Sequence, residues 1–149
     1  MMRLPISILL FAVLYATAGL AGKEETLEQL IARAESANPQ DRAVLYLQIA
    51  RRQADAADKF YEGGNIEAGS SAVADVVMYS GKASDTAISS GKRLKDTEIT
   101  LRKMAERFRD LKRNLAFEDQ PPVQQAIDGM EKMRTDLLTA MFGKKKANQ

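Results

Sequence analysis

Residues 94–115 read LKDTEITLRKMAERFRDLKRNL. In them Leu94, Leu101, Phe108 and Leu115 recur every seven residues, with Thr97, Met104 and Leu111 three positions later. With 3.6 residues per turn, that spacing gathers all seven side chains on one stripe of a helix and leaves the charged residues to the remaining surface. The stripe is a seam for partner helices. Glu118-Asp119-Gln120-Pro121-Pro122 breaks this helix, and the next runs to Phe142 with Val123, Ile127, Met130, Met133, Leu137 and Met141 facing inward before Gly143 ends it.

Working back from residue 94, Gly91 is placed to close a helix spanning about Ile66 to Ser90. Ala, Ser and Gly dominate that helix, and Val73, Val76, Val77, Tyr79 and Ile88 supply most of its bulk. Its small surface allows close approach of neighbours. Gly69 and Gly81 lower its intrinsic helicity by about 1 kcal/mol each relative to alanine, so tertiary contacts must hold it and it is expected to be the weakest element. Asn65 caps its start. A further helix begins at Asn38-Pro39-Gln40-Asp41, where a cap residue precedes a first-turn proline, and stops at Gly63-Gly64. Ala43, Tyr46, Ala50, Ala57 and Phe60 form its apolar stripe, widened by Leu45, Ile49 and Ala56, and a short helix from about Glu24 to Ser36 precedes it.

The expected fold is therefore all-α. Four long helices of similar length joined by very short connections imply an up-down-up-down antiparallel bundle, with the short first helix as an addition. The competing arrangement is a superhelical stack of hairpins. The tetratricopeptide pattern for such a stack is met at Phe60, Gly64, Asn65 and Ala57, but Gly69 and Val76 occupy its later alanine positions and no proline follows, so nothing of that family is carried over.

Residues 1–21 have the form of a secretory signal. Met1-Met2-Arg3 is short and positive, Leu4 to Tyr15 is almost wholly apolar, and small residues suit cleavage after Ala18 or, preferably, Ala21. The 17 residues from Leu4 to Leu20 also stand at the lower limit for an uncleaved membrane anchor. Leu20-Ala21-Gly22 resembles a lipobox, yet Lys23 stands where the acylated cysteine is required. The expectation is a soluble exported protein, periplasmic or secreted, with one helical domain at 22–143 and a basic tail at 144–149.

The chain contains no histidine and no cysteine, which excludes Ser-His-Asp and Cys-His nucleophile systems, disulfides, the usual zinc sites and Glu-x-x-His di-iron sites. No cofactor or metal is expected. Asp55, Asp58 and Glu62 share one side of their helix away from the apolar stripe and read as a solvated acidic face. Gln53, Thr97 and Ser80 are polar residues at seam positions, where they set helix register or bond to a carbonyl.

Charge is divided unevenly along the chain. Residues 22–89 hold 7 basic and 11 acidic side chains, and residues 90–149 hold 14 and 9, giving −4 and +5. Lys95, Arg102, Lys103, Arg109, Lys112 and Arg113 form the candidate interaction surface. Glu98, Glu106 and Asp110 lie at pairing distance from them and no aromatic residue alternates with them, which favours a salt-bridged face over a nucleic-acid site. The tail lysines 144, 145 and 146 are fewer than the four to eight that mark strong lipid binding, so membrane contact there is weak. These features point to a non-enzymatic protein acting by contact with a protein partner or with itself. The rival expectation is a lipid or small-hydrophobe carrier lined by Met104, Met130, Met133 and Met141.

Overall fold

The computed structural model describes residues 24–143; the signal segment 1–21 and the tail 144–149 lie outside the described residues. Five α-helices follow one another: α1 (Leu27–Ser36), α2 (Pro39–Glu62), α3 (Ile66–Ser90), α4 (Leu94–Arg113) and α5 (Pro121–Phe142). A single 3₁₀ turn, Phe117–Asp119, joins the last two. There is no strand among the described residues.

Local chemistry accounts for the boundaries. The first helix starts later than expected because Thr26 forms a capping box: its hydroxyl accepts the Gln29 N–H at 3.1 Å and the Gln29 side chain accepts the Thr26 N–H at 3.0 Å. Asn38 accepts the Asp41 N–H at 3.0 Å, with Pro39 in the first turn, and Asn65 accepts the Ala68 N–H at 3.2 Å. At the α3–α4 joint Gly91 (φ 67°) and Arg93 (φ 63°) both turn left-handed. The arginine lacks glycine's freedom there, at a cost of about 1 kcal/mol. α4 starts at Leu94 and ends at Arg113, shorter than its heptad suggests, so Leu115 packs from the loop.

The residue pairings define the packing. Along α2 and α3, Tyr61 meets Gly69, Gln53 bonds Asp75 and Tyr46 lies beside Tyr79, so numbers rise on one helix as they fall on the other and the pair is antiparallel. Glu98–Arg134 and Lys112–Gln124 give the same sense to α4 and α5. Between the hairpins the numbers rise together. Val77 lies near Gly129 and Gly81 near Met133 on α3 and α5, while Arg51 bonds Thr100 and Asp58 bonds Arg107 on α2 and α4. The two hairpins are thus stacked with like helix on like, and α5 packs on α3 and α4. α1 lies antiparallel on α2, with Tyr46 donating to Glu35 and Arg52 to the Glu25 carbonyl.

One apolar cluster runs through the stack. Leu101, Phe108, Met130, Leu137, Val73, Val76 and Ile49 are fully buried, each contributing about 1.5–3 kcal/mol by leaving water. Seven small residues, Ala50, Ala54, Ala57, Ala72, Ala83, Ala87 and Gly69, are buried on α2 and α3, where they let neighbouring helices pack closely. α3 is central, in contact with α2, α4 and α5, and those neighbours offset its poor helix propensity. Phe60, assigned to the apolar stripe of α2 by periodicity, is instead 40% exposed, and Ile88, part of the bulk of α3, is 37% exposed. Phe60 lies on the side of α2 that α1 covers only as far as Arg52, and Ile88 lies in the last turn of α3, where neighbours are fewer.

Candidate functional site

The outward side of α4 carries the six basic residues singled out above, and the structure divides them into two sets. Lys95, Arg102 and Lys103 are exposed, and none has a carboxylate within ion-pair distance among the described residues. The other three gather at the C-terminal end of the helix. Arg109 pairs with Glu131 at 2.8 Å, Arg113 pairs with Asp110, and half-buried Lys112 donates to the side-chain oxygen of Gln124 at 2.6 Å.

Of the acids that the helical spacing sets beside them, Asp110 does pair within α4, through Arg113, and Glu98 does not. Glu98 is buried and turns to α5, where the Arg134 guanidinium meets it at 2.8 and 2.9 Å while also holding Glu131 at 2.8 Å. This gives a continuous chain of Glu98, Arg134, Glu131 and Arg109 along the α4–α5 joint. Burial alone raises the Glu131 pKa, but Arg109 and Arg134 outweigh it and hold the carboxyl below its ordinary value. Burial likewise lowers Arg134, and Glu98 and Glu131 more than restore it.

The acidic face expected on α2 is also a joint. Arg107 of α4 reaches Asp55 at 2.7 Å and Asp58 through Nε at 3.0 Å, so two of the three carboxylates belong to the hairpin stack and only Glu62 stands clear. Burial lowers the Arg107 pKa, and hydrogen bonds to Asp58 and Asp55 raise it above its usual value. No group of three or more potential metal ligands occurs among the described residues.

Arg107 and Arg134 had no place among the sequence candidates. Their signal was present in outline. Arg107 falls outside the α4 heptad stripe, and Arg134 lies one turn beyond Met130, where a half-buried cation requires a carboxylate on the facing helix.

Among the seam residues, Gln53 bonds Asp75 at 2.8 Å and Ser80 donates to the Met104 sulfur at 3.9 Å, whereas the Thr97 hydroxyl is buried without a partner. At the Gly-Gly end of the α2–α3 hairpin the Tyr61 ring presses on Gly69. Its buried hydroxyl has no hydrogen-bond partner, and burial, helped by nearby Asp119, raises its pKa. Tyr46 is raised for the same first reason, with Glu35 adding to it. Lys82 sits 5.5 Å from the ring centres of both Tyr46 and Tyr79 and 3.5 Å from Glu35, which ties α3 to α2 and α1.

Two surface grooves are present. One of about 400 Å³ lies between the end of α4 and the start of α5, walled by Arg109, Lys112, Arg113, Gln120 and Gln124 over Ile127. The other, about 390 Å³, follows Thr135, Leu138, Thr139 and Phe142 on α5. None of the four methionines expected to line a carrier cavity borders either groove; Met104 and Met130 are buried in the core, and Met133 and Met141 are half-buried. No helix among the described residues is long and apolar enough to cross a membrane.

Comparison of the chain with models of protein families, with curated proteins and with solved structures found no match.

Proposed function

We propose that the chain is an exported, non-enzymatic binding protein that acts by docking the basic face of α4 on an acidic protein surface. The observation carrying this reading is the row of Lys95, Arg102 and Lys103, three exposed cations on one helix face with no carboxylate at pairing distance, in a molecule whose other α4 cations are mostly neutralised by its own acids. Unspent charge of one sign steers and orients an oppositely charged partner. The signal-like residues 1–21 support delivery outside the cytoplasm, and absence of histidine and cysteine from the whole sequence favours a contact surface over a reaction centre. Helix direction alternates from α2 to α5 as an up-down-up-down bundle of four long helices requires, but stacked hairpins share that alternation, and the α2–α4 and α3–α5 contacts favour the stack as the carrier of this surface, with α1 as an addition.

The test compares crosslinked adducts in the native envelope for the unaltered chain and for the charge-reversed variant Lys95→Glu, Arg102→Glu, Lys103→Glu, with light scattering on both purified proteins. Loss of adducts with unchanged melting supports the reading. A dimer abolished by the same changes assigns the face to self-association instead. Identical adducts, or none, overturn it. Mass spectrometry of the mature protein checks export, with a chain starting at Gly22 as the expected result and an intact Met1 as the contrary one.

A further inference from the structure

Lys112 differs from the other half-buried cations of the α4–α5 hairpin. Arg107 holds two aspartates and Arg134 two glutamates, as buried or partly buried charges require. Among the described residues the ammonium of Lys112 has a single neutral acceptor, the Gln124 amide oxygen, and no carboxylate within 4 Å. An ammonium carries three N–H donors, so two remain unused at the wall of the 400 Å³ groove. Gln124 is itself fixed, since its amide nitrogen donates to Asp128 at 2.8 Å, and Gln120 donates to the Leu115 carbonyl at 3.1 Å. The groove is therefore walled by anchored side chains.

We propose that this groove receives an acidic side chain from an extended segment of the partner protein, with Lys112 as its principal donor and Arg113 and Arg109 beside it. The inference rests on the docking role of α4 and names the place where the partner is gripped. The charge balance selects a carboxylate over a phosphate-bearing ligand. Arg109 and Arg113 already hold carboxylates in this corner, Glu131 and Asp110, so Lys112 is left as the unpaired cation of the groove. One unpaired positive charge, with Asp128 held on Gln124 nearby, suits a monoanion better than a dianion. Ile127 gives the floor an apolar contact for the methylenes of a glutamate, and the groove volume suits a side chain with its flanking backbone, not a packed helix. Phe117, 86% exposed in the turn that joins the two walls, adds an apolar contact for a residue flanking the acid.

The experiment titrates the isotope-labelled protein with a blocked hexaglutamate peptide, and separately with inorganic phosphate and blocked hexalysine, at low salt. Amide shifts should centre on residues 109–113 and 120–127, with no comparable response to phosphate or hexalysine. Lys112→Gln should weaken the peptide about tenfold or more, the loss of one charge-assisted hydrogen bond. Gln124→Ala, which frees Lys112 from its internal acceptor, should bind at least as tightly as the unaltered protein. Melting curves show that both variants fold. Shifts confined to the Lys95, Arg102 and Lys103 face, or affinity unchanged in Lys112→Gln, overturn the groove and leave the docking face standing. Equal phosphate binding overturns the choice of carboxylate, and a peptide that binds nowhere on α4 sinks both readings.

Discussion

The two hairpins are joined by different physics. In α2–α3 small side chains prevail: seven buried alanines and glycines let neighbouring helices pack closely, and Tyr46, Tyr61 and Tyr79 fill the remaining space. In α4–α5 the edge of the apolar seam is fastened by Glu98, Arg134, Glu131 and Arg109. The first joint depends on shape and has no reserve for added volume. The second depends on paired charge and responds to acid and to loss of a partner.

The largest expected effect comes from adding volume to the first joint. Ala54 is completely buried on α2, and Ala54→Leu should destabilise the protein by about 3 kcal/mol, read as a fall in urea midpoint, because a side chain with no exposed surface has no place for three more carbons. A variant as stable as the parent would show the alanine seam to be loose.

Removing a cation from the second joint should cost less, yet more than a surface ion pair. The Arg134 side chain is 19% exposed and its partner Glu98 only 9%, so Arg134→Met should cost about 2 kcal/mol by stranding a buried carboxylate. Adding Glu98→Gln should recover part of that loss. Without any recovery, the staple is packing by the arginine stem and not charge.

The smallest effect sharpens the same contrast through pH. The folded-state pKa of Glu131 is lowered, so the stability it supplies is complete above the ordinary carboxylate range and disappears as pH falls through the lowered value. Hydrogen exchange followed as pH falls below the ordinary carboxylate range should therefore rise along α4–α5 before α2–α3. In Glu131→Gln that difference should shrink, and simultaneous opening of both hairpins in the unaltered protein would count against separate joints.

Much of this fold was legible in the sequence because caps and breakers act locally. Asn38-Pro39, Gly63-Gly64-Asn65, Gly91 and Pro121-Pro122 set the ends of the helices within a few residues. The inward faces followed from periodicity wherever a neighbour runs alongside, as at Leu101, Phe108 and Val123. Periodicity says which side of a helix is buried, but not by which helix, so α5 lying on α3 and the parallel α2–α4 contact could not be read. The same gap concealed Arg107 and Arg134, whose partners on other helices are 36 to 52 residues distant. It also hid the cation that α4 supplies to Asp55 and Asp58, the first of which stays solvent-exposed as expected. On the candidate face, residue type located the six cations, and only the packing separated three unspent ones from three at a groove.

Every substantial helix contact in the stack joins elements that are consecutive or next but one in the chain. The connectivity is that of a folded ruler and not of a clasped ring, so tension applied across residues 24 and 143 would be carried in series, joint after joint. Such a molecule yields by peeling. The hairpin that gives way first would be the one whose fastening is weakest under the prevailing pH, which places its mechanical compliance under the control of its surroundings.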